Sequence, residues 1–418
     1  MSDEVKVPSA ECRVPSTEQG CVVGATTDRQ FSARGTQRST LRVGLIGHLL
    51  SFEPTYRQAG VSRYTEALVR ELPNVGPDEE YVVFTGPERP PVARGFDPGI
   101  EWVHARLPTA RPETRIIWEQ TVGATIARRY RLDLIHAPVN VAPLVTGAAR
   151  VVTIHDLAFL HYPEQYPGAK QRYLRLMTRL SVRRAARVIA VSEATRQDVI
   201  RLYGARPEKV VTVPNGVSGD YLPLPVEQVE AFRAAQSLPE RFILFVGTLQ
   251  PRKNLETLLR AYAQVADEIG WELVVVGAAG WSYAPIFETA RSLGLAERVR
   301  FAGYVAGEDL PLWYNAAGMF VYPAFYEGFG LPLLEAMACG TPVIAADTSS
   351  LPEVVGDAGL LVDPHDAGAL AQAIRRLAGS ETLRDDLGKR GQQRASAYSW
   401  RRTAEETLVV YRDAMRDA

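Results

Sequence analysis

The chain has few cysteines and no long apolar run, and both absences limit what it can be. Its 418 residues include three cysteines, Cys12, Cys21 and Cys339, with no CxxC pair and no Cys/His cluster. A structural zinc site is therefore not expected, and sparse cysteine is typical of a reducing cytoplasm. No segment approaches the roughly 20 apolar residues that span a bilayer. Residues 1–40 lack the apolar segment of a secretory signal, and their polar composition predicts a disordered leader or a start assigned too far upstream.

A glycine-rich dinucleotide motif is also missing. After the first apolar segment, Gly44 and Gly47 are three residues apart and no third glycine follows at the required place. This disfavours a nicotinamide dinucleotide as cofactor, and no other cofactor is indicated.

The formal net charge of -1 hides an asymmetry between the two halves. Residues 41–220 carry 24 basic and 18 acidic residues, whereas residues 221–418 carry 18 basic and 25 acidic ones. A cationic first half suits an anionic partner such as a phospholipid surface or a pyrophosphate-bearing acceptor. A chance variation of surface charge explains the counts equally well. No nucleic-acid partner is expected.

Short apolar segments alternate with helical patterns, which predicts an α/β fold with parallel sheets covered on both faces. In the first half these segments are 41–47, 81–85, 132–136, 151–155, 188–191 and 210–213. After a proline-containing linker they are 242–247, 273–277, 300–303, 319–322 and 343–346. The predicted organisation is a leader (1–40), an N-terminal domain (41–220), a C-terminal domain (221–398) and a last helix (399–418) that packs back on the N-terminal domain.

Two adjacent cations, Arg252 and Lys253, follow the apolar segment 242–247 and precede a helical pattern. In open α/β sheets, ligands bind beyond the carboxyl ends of the strands. Two cations at that position can bind a diphosphate and stabilise the charge that grows on it as it leaves. Taken alone, the pair would more often be a solvated turn.

Two glutamates frame the segment that follows residues 319–322. Glu327 lies in a loop, and Glu335 lies eight residues later among apolar residues in a predicted helix. A carboxylate in such surroundings needs a partner, and two ribose hydroxyls are suitable ones. Gly328 and Gly330 between them allow backbone amides to approach a ligand closely.

Together these segments resemble family 4 of the retaining glycosyltransferases, whose GT-B architecture sets two Rossmann-like domains face to face across a cleft. The resemblance covers residues 41–418. The matching segments are 214–217, 247–254, 303–305, 327–345 and 352–359.

The resemblance implies a donor site in the C-terminal domain. Arg252 and Lys253 would bind the donor diphosphate, Glu335 would hold the ribose, and Glu327 would face the transferred sugar. The other implied donor residues are Tyr304 and Val305 near the base, Phe329 and Gly330 on the sugar hydroxyls, and Gly247 and Leu331 beside them.

The N-terminal domain would supply the other wall of the cleft. The family often has a glycine near the leaving phosphate, and Gly60 is the candidate here, at the end of a long loop that begins at His48. Arg63 would reach the acceptor or the phosphate, with a surface helix arginine as the alternative. His155, at the carboxyl end of a strand, matches a family histidine close to the donor sugar. The implied catalytic residues are therefore Glu327, His155, Arg252 and Lys253.

A basic segment without acidic residues spans positions 170–187. Arg172, Arg175, Arg179 and Arg183 fall on one helical stripe. This stripe suits contact with anionic lipid or a lipid-linked acceptor, and a solvated basic face is the simpler alternative. We expect a cytoplasmic protein, with peripheral contact at the inner face of the membrane left open.

These features predict a hexosyltransferase of polysaccharide biosynthesis. The donor would be a nucleoside-diphosphate sugar, and the segment 151–162 resembles bacterial mannosyltransferases, which favours GDP-mannose. No Asp-x-Asp triplet occurs, and metal-dependent transferases of the other main fold use that acid pair. Arg252 and Lys253 would replace the metal. The alternatives left open are a non-catalytic subunit that binds a sugar nucleotide and a sugar-nucleotide epimerase of the same fold.

Overall fold

A computed structural model describes residues 40–51, 60–91, 95–105, 107, 109, 112–281 and 283–416. The predicted leader lies outside these residues. Residues 40–418 form one compact unit.

The described residues form two parallel sheets. The first contains β1 (Arg42–Ile46), β2 (Glu80–Thr85), β3 (Glu101–His104), β4 (Leu134–Ala137), β5 (Ala149–Ile154), β6 (Arg187–Ala190) and β7 (Val210–Thr212), in the order β3-β2-β1-β4-β5-β6-β7. The second contains β8 (Phe242–Val246), β9 (Glu272–Val276), β10 (Val299–Gly303), β11 (Met319–Tyr322), β12 (Val343–Ala346) and β13 (Gly359–Val362), in the order β10-β9-β8-β11-β12-β13. The predicted α/β class with two parallel sheets is confirmed.

Helices cover both sheets. Those of the first half are α1 (Val61–Val75), α2 (Pro112–Thr121), α3 (Gly123–Arg129), α4 (Ala158–His161), α5 (Gly168–Arg184) and α6 (Glu193–Tyr203). Those of the second half are α7 (Val226–Ala235), α8 (Leu255–Ala263), α9 (Ala266–Ile269), α10 (Ala284–Ser292), α11 (Leu310–Ala316), α12 (Leu331–Ala338), α13 (Leu351–Val355), α14 (Ala367–Gly379), α15 (Glu381–Ala395) and α16 (Trp400–Arg416). We call the first sheet with α1–α6 and α16 the first lobe, and the second sheet with α7–α15 the second lobe.

Burial on both faces explains the continuous apolar runs of the strands. In β2, Val82 and Phe84 belong to one core cluster and Tyr81 and Val83 to another, so neighbouring residues pack on opposite faces of the sheet. Strand order then determines where ligands can bind. The order reverses between β1 and β4 in one sheet and between β8 and β11 in the other, and ligands of open α/β sheets bind at such a reversal.

Two strands are absent from the sequence-based prediction, β3 and β13, and both are edge strands. Residues of β3 are half-buried or exposed, and three of the four residues of β13 are half-buried. A short strand that is paired on one side does not need the continuous apolar run by which central strands are found.

The last helix, α16, packs against α1, β5 and β6 of the first lobe. Ser399 begins this helix as the sequence suggests, because its hydroxyl accepts the backbone N–H of Arg402 at 3.2 Å. The domain boundaries at 220 and 398 stay predictions.

A buried polar chain fixes α16 in place. The ring of His136 in β4 lies between the Tyr411 hydroxyl, 2.7 Å from Nδ1, and the Thr153 hydroxyl, 2.8 Å from Nε2. The Thr153 hydroxyl in turn lies 3.0 Å from that of Tyr64 in α1. These bonds join α1, β4, β5 and α16 across an otherwise apolar layer.

This burial predicts a loss of stability in mild acid. Burial, with the nearby His155, lowers the pKa of His136 from 6.5 to about 3. Below pH 6.5, His136 binds a proton in the unfolded chain but stays neutral in the folded protein. The stabilisation that comes from neutral His136 is therefore fully present above pH 6.5 and is lost as the pH falls towards 3. At pH 5 the expected loss is about 2 kcal/mol. Urea unfolding at pH 7.5 and pH 5.0 measures this loss in the free energy of unfolding. Between the two pH values, His136→Gln should lose less free energy than the wild type, by about this amount.

An equal pH dependence in His136→Gln and wild type would show that His136 does not titrate between the two states.

Candidate active site

The strand order of the second sheet brings the two predicted donor segments together. Because β8 and β11 are neighbours, the loops that follow them lie side by side. Arg252 and Lys253 belong to a 3-10 turn, Pro251–Lys253, after β8. Asn254 ends this turn in the left-handed region at φ 58° and donates to the carbonyls of Pro323 and Pro364, which ties the turn to the loop after β11.

Glu327 forms a compact charged cluster with these cations. Its Oε1 atom accepts a hydrogen bond from Lys253 Nζ, lies 3.1 Å from a terminal nitrogen of Arg252, and lies 3.2 Å from the Tyr322 hydroxyl. Lys253 Nζ is also 2.6 Å from the Tyr322 hydroxyl. The three charged side chains are only 11–12% exposed. Lys253 and Glu327, which are 74 positions apart in the chain, thus form one buried group with Arg252.

The surroundings favour the ionised forms of Glu327 and Arg252, whereas burial works against the cationic form of Lys253. Burial raises the pKa of Glu327, but Arg252 and Lys253 outweigh it, so the net pKa is lowered. Burial lowers the pKa of Arg252, but Glu327 and Asp156 outweigh it, so that net pKa is raised. Burial keeps the pKa of Lys253 below its usual value.

When Lys253 is protonated, two cations face one carboxylate and this group of three carries a net positive charge. In addition, Arg252 Nε is buried and has no hydrogen-bond partner among the residues that the structure describes. A buried donor without a partner is costly, and an anionic oxygen would satisfy it.

The backbone around Glu327 is also held. Its N–H donates to Ser349 Oγ at 3.0 Å, and its carbonyl accepts from Ser350 Oγ at 2.9 Å. Three residues on, Gly330 adopts φ 101°, where other residues are strained, and α12 begins at Leu331 without a side-chain cap. Phe329, Gly330 and Leu331 therefore lie at a helix start, where backbone amides favour a negatively charged ligand.

The second glutamate, Glu335, has protein partners from both lobes. It is 4% exposed and accepts from the Tyr314 hydroxyl at 3.0 Å. Arg63 of α1 forms an ion pair with its Oε1 atom, and Arg63 also donates to the Tyr221 hydroxyl at 3.3 Å. Glu335 raises the pKa of Arg63 further above its usual value. The structure thus places Arg63 on Glu335 across the cleft, a contact that the sequence did not suggest. The ribose role of Glu335 stays a prediction.

His155 lies at the opposite wall, where β5 ends. Its Nε2–H donates to the Pro138 carbonyl at 2.9 Å, and its ring packs edge-on against Tyr64 at 4.8 Å. Burial lowers the pKa of His155. A neutral ring that donates through Nε2 leaves Nδ1 as a hydrogen-bond acceptor.

Gly328 has a structural role in addition to the one that the sequence suggested. A Cβ atom on Gly328 would lie 1.6 Å from the carbonyl oxygen of His155. The glycine therefore lets the backbone of the first lobe, and not only a ligand, approach the loop that contains Glu327.

The other predicted residues lie further from the charged cluster. Tyr304 is 44% exposed and Val305 half-buried after β10, the edge strand beyond β9. Gly60 begins α1 at φ 53° in an exposed position, and part of the loop before it lies outside the described residues. Gly247 directly follows β8 and lies beside Gly277. A Cβ atom on Gly277 would lie 1.9 Å from the carbonyl oxygen of Gly247. The sequence analysis missed Gly277, although a glycine directly after the apolar run of β9 was a usable signal.

Comparisons with known proteins identify this arrangement. Residues 59–220 match the family described as Glycosyltransferase Family 4, and residues 228–394 match Glycosyl transferases group 1. The chain is 33% identical over 370 residues to the O-antigen chain mannosyltransferase B of Escherichia coli, over 85% of this chain and 97% of that protein. The chain therefore belongs to family 4 of the group 1 glycosyltransferases, and the predicted family and enzyme class are confirmed.

Other relatives agree with this assignment. A D-inositol 3-phosphate glycosyltransferase of Kineococcus radiotolerans is 37% identical over 256 residues, 56% of this chain and 59% of that protein. Sucrose-phosphate synthase of Thermosynechococcus elongatus superposes with a TM-score of 0.74 at 27% identity, over 90% of this chain and all of that one. HepE of Anabaena, solved with UDP and glucose, has a TM-score of 0.69 at 21% identity, over 88% and 98%. These likenesses confirm the GT-B architecture.

Two features are absent from the described residues. They contain no group of three or more His, Cys, Asp or Glu side chains that is arranged to hold a metal ion. They also contain no helix with the length and apolar character needed to cross a membrane.

Proposed function

We propose that the protein transfers a hexosyl unit, with mannose favoured, from a nucleoside-diphosphate sugar to a glycan or lipid-linked acceptor. In this proposal the anomeric configuration is retained, no metal ion or other cofactor takes part, and the donor is GDP-mannose. The observation that carries the proposal is the buried cluster of Arg252, Lys253 and Glu327, with its net positive charge and its unpartnered Arg252 Nε.

This cluster suits the chemistry of a leaving diphosphate. As the glycosidic bond breaks, negative charge grows on the phosphate oxygen and positive charge on the anomeric carbon. Arg252 and Lys253 would stabilise the first, in a site where little water competes. Glu327 would face the sugar. Its bonds to both cations make it a poor nucleophile, which favours attack by the acceptor from the face that the diphosphate leaves.

His155 fits the sugar side of the same cleft. A neutral imidazole with a free Nδ1 acceptor suits a sugar hydroxyl better than a phosphate. Its place beside Gly328 would put it within reach of a sugar that is bound against Glu327.

The choice of mannose rests on the name of the Escherichia coli relative, an O-antigen chain mannosyltransferase. Thermal unfolding with a panel of nucleotide sugars tests it, since a donor that binds only the folded protein raises the melting temperature. We expect the largest rise with GDP-mannose. Incubation with a mannose oligosaccharide should then give GDP and a lengthened product with the donor's anomeric configuration by NMR.

Transfer should also persist in excess EDTA, because two protein cations take the place of a metal. Loss of activity with chelator and its return with Mg²⁺ or Mn²⁺ would contradict this part of the proposal. A free sugar epimer, or binding without any product, would instead favour an epimerase or a non-catalytic subunit.

The acceptor side includes the basic face of α5. Arg172, Arg175, Arg179 and Arg183 are exposed along this helix, and Leu176 among them is 57% exposed. Cations around an exposed apolar residue suit the surface of an anionic membrane, which is where a lipid-linked acceptor would be found. We therefore propose peripheral contact with the cytoplasmic face of a membrane.

Reversal of two of these charges tests the membrane contact. Arg175→Glu together with Arg179→Glu should weaken binding to vesicles that contain anionic lipid by at least about tenfold, since each basic residue near such a surface contributes roughly 1 kcal/mol. Cosedimentation at moderate salt measures it. The control reverses two exposed arginines of the second lobe, Arg291 and Arg376. Equal vesicle binding by all three proteins would leave the solvated-face interpretation.

A further inference from the structure

Tyr326, the residue before Glu327, extends its side chain into the first lobe. Its hydroxyl donates to Asp198 Oδ2 at 2.9 Å and accepts the backbone N–H of Leu157 at 3.2 Å. Its ring lies 4.6 Å from the ring of His161. The side chain is 7% exposed, so these contacts take place away from water.

Asp198, on α6, is a fully engaged buried carboxylate. Besides Tyr326 it accepts from His161 Nε2 at 2.7 Å and pairs with Arg201 at 2.6 Å. Burial raises the pKa of Asp198, but its hydrogen bonds and the charge of His161 outweigh this and lower it. The acceptor for the tyrosine is therefore an ionised carboxylate, which makes a stronger hydrogen bond than a neutral group.

The other side of Glu327 is held by the same helix. Thr195, also on α6, donates its hydroxyl to the Gly328 carbonyl at 3.2 Å. The carboxylate of Glu353 in the second lobe accepts the first backbone N–H groups of α6, from Glu193 at 2.8 Å and Ala194 at 2.6 Å. Residues 326 and 328 are thus both bonded to a helix that begins against the second lobe.

The backbone of Tyr326 also contacts Arg252, one of the two cations that are proposed to bind the diphosphate. Its carbonyl accepts from Arg252, and the N–H of Phe325 donates to the Arg252 carbonyl at 2.9 Å. The side chain of Tyr326 therefore binds the first lobe, while its backbone helps to position Arg252 and Glu327.

We propose that Asp198 and Thr195 of α6, with His161 behind Asp198, are positioning residues that place Glu327 through Tyr326 and Gly328. These hydrogen bonds cross the cleft, so they form only when the two lobes are closed on each other, and they then complete the positioning of Glu327 that its contacts within the second lobe begin. Donor binding to the second lobe is then separated from the reaction, which limits the hydrolysis of the donor in an open cleft. The inference rests on the proposed function, in which Glu327 faces the transferred sugar.

The test removes one hydroxyl on each side of Glu327. Tyr326→Phe keeps the ring against His161 and loses the two hydrogen bonds of the hydroxyl, to Asp198 and to the Leu157 N–H. Thr195→Val keeps the shape and loses the bond to Gly328. We expect each variant to lower kcat about 10- to 100-fold, since small displacements of a catalytic group have effects of this size. The Kd for GDP should stay within about threefold of wild type. Calorimetry with GDP and release of GDP from GDP-mannose, with a mannose oligosaccharide as acceptor, give the two quantities.

Tyr262→Phe is the matched control. Tyr262 is a buried tyrosine of the second lobe whose hydroxyl donates to the carbonyls of Trp271 and Arg298 at the other end of the sheet. Its loss should lower stability and leave kcat within about twofold.

Three outcomes would overturn the inference. If both variants turn over at the wild-type rate, α6 does not position Glu327. If GDP affinity falls in parallel with kcat, the contacts support the donor lobe as a whole. If Glu327→Gln itself turns over like wild type, the proposed function fails together with the inference, and this result separates the two cases.

Discussion

Lys253→Met should lower turnover by about 100- to 1,000-fold, the effect of removing one preorganised charge from a developing anion. Lys253 Nζ contacts both Glu327 and the Tyr322 hydroxyl in a nearly dry site, so no water can replace it without rearrangement. The charge it would stabilise grows as the diphosphate leaves, and kcat should therefore fall more than the affinity for GDP. Steady-state release of GDP and calorimetry on the same protein measure the two effects.

Lys389→Met, at an exposed position of α15, is the control for a lost lysine. We expect it to act like wild type. Adding Glu327→Gln to Lys253→Met should cost less than the product of the single effects, because the two side chains act as one unit. Turnover of Lys253→Met within about threefold of wild type would place the departing diphosphate elsewhere.

Glu335→Ala should weaken GDP binding by about 10- to 100-fold, which corresponds to the loss of a charged hydrogen-bond partner. The protein should stay folded, because the Arg63 side chain left behind is 32% exposed and water can solvate it in part. Calorimetry with GDP gives the affinity, and urea unfolding gives the stability.

Arg63→Met separates two explanations of this result. If Glu335 binds the ribose and Arg63 only pairs with Glu335, GDP affinity should change by less than about threefold in Arg63→Met. A loss as large as that of Glu335→Ala would assign Arg63 to the nucleotide phosphates, and the phosphate is one of the two groups, with the acceptor, that the sequence suggested for it. Unchanged affinity in Glu335→Ala would remove the ribose assignment.

The central strands were predictable because their environment is uniform. Segments such as those of β8 and β9 are buried on both faces, so an unbroken apolar run is required. The cation pair after β8 and the glutamates after β11 were also found from the sequence, since ligands bind beyond the carboxyl ends of such strands. Edge strands such as β3 escape this logic because one side of the strand is unpaired.

The partners of the site residues were not predictable in the same way. The sequence predicts that Glu335 requires a partner, because this carboxylate lies among apolar residues. Its partner proved to be Arg63, 272 positions earlier in the chain. The sequence explained Gly328 by a ligand alone, and it gave no sign that the carbonyl of His155 also lies against this glycine.

The sequence by itself determined the family, the two parallel sheets and which side chains carry the charge of the proposed donor site. Local patterns suffice for these, since burial and strand ends leave marks in neighbouring residues. Only the tertiary structure decided how the lobes meet. Tyr326 contacts Asp198 across 128 positions and the cleft, and neither residue has a local pattern that reveals the other. A contact of this kind depends on the angle between two separately folded sheets, which no periodicity along the chain encodes.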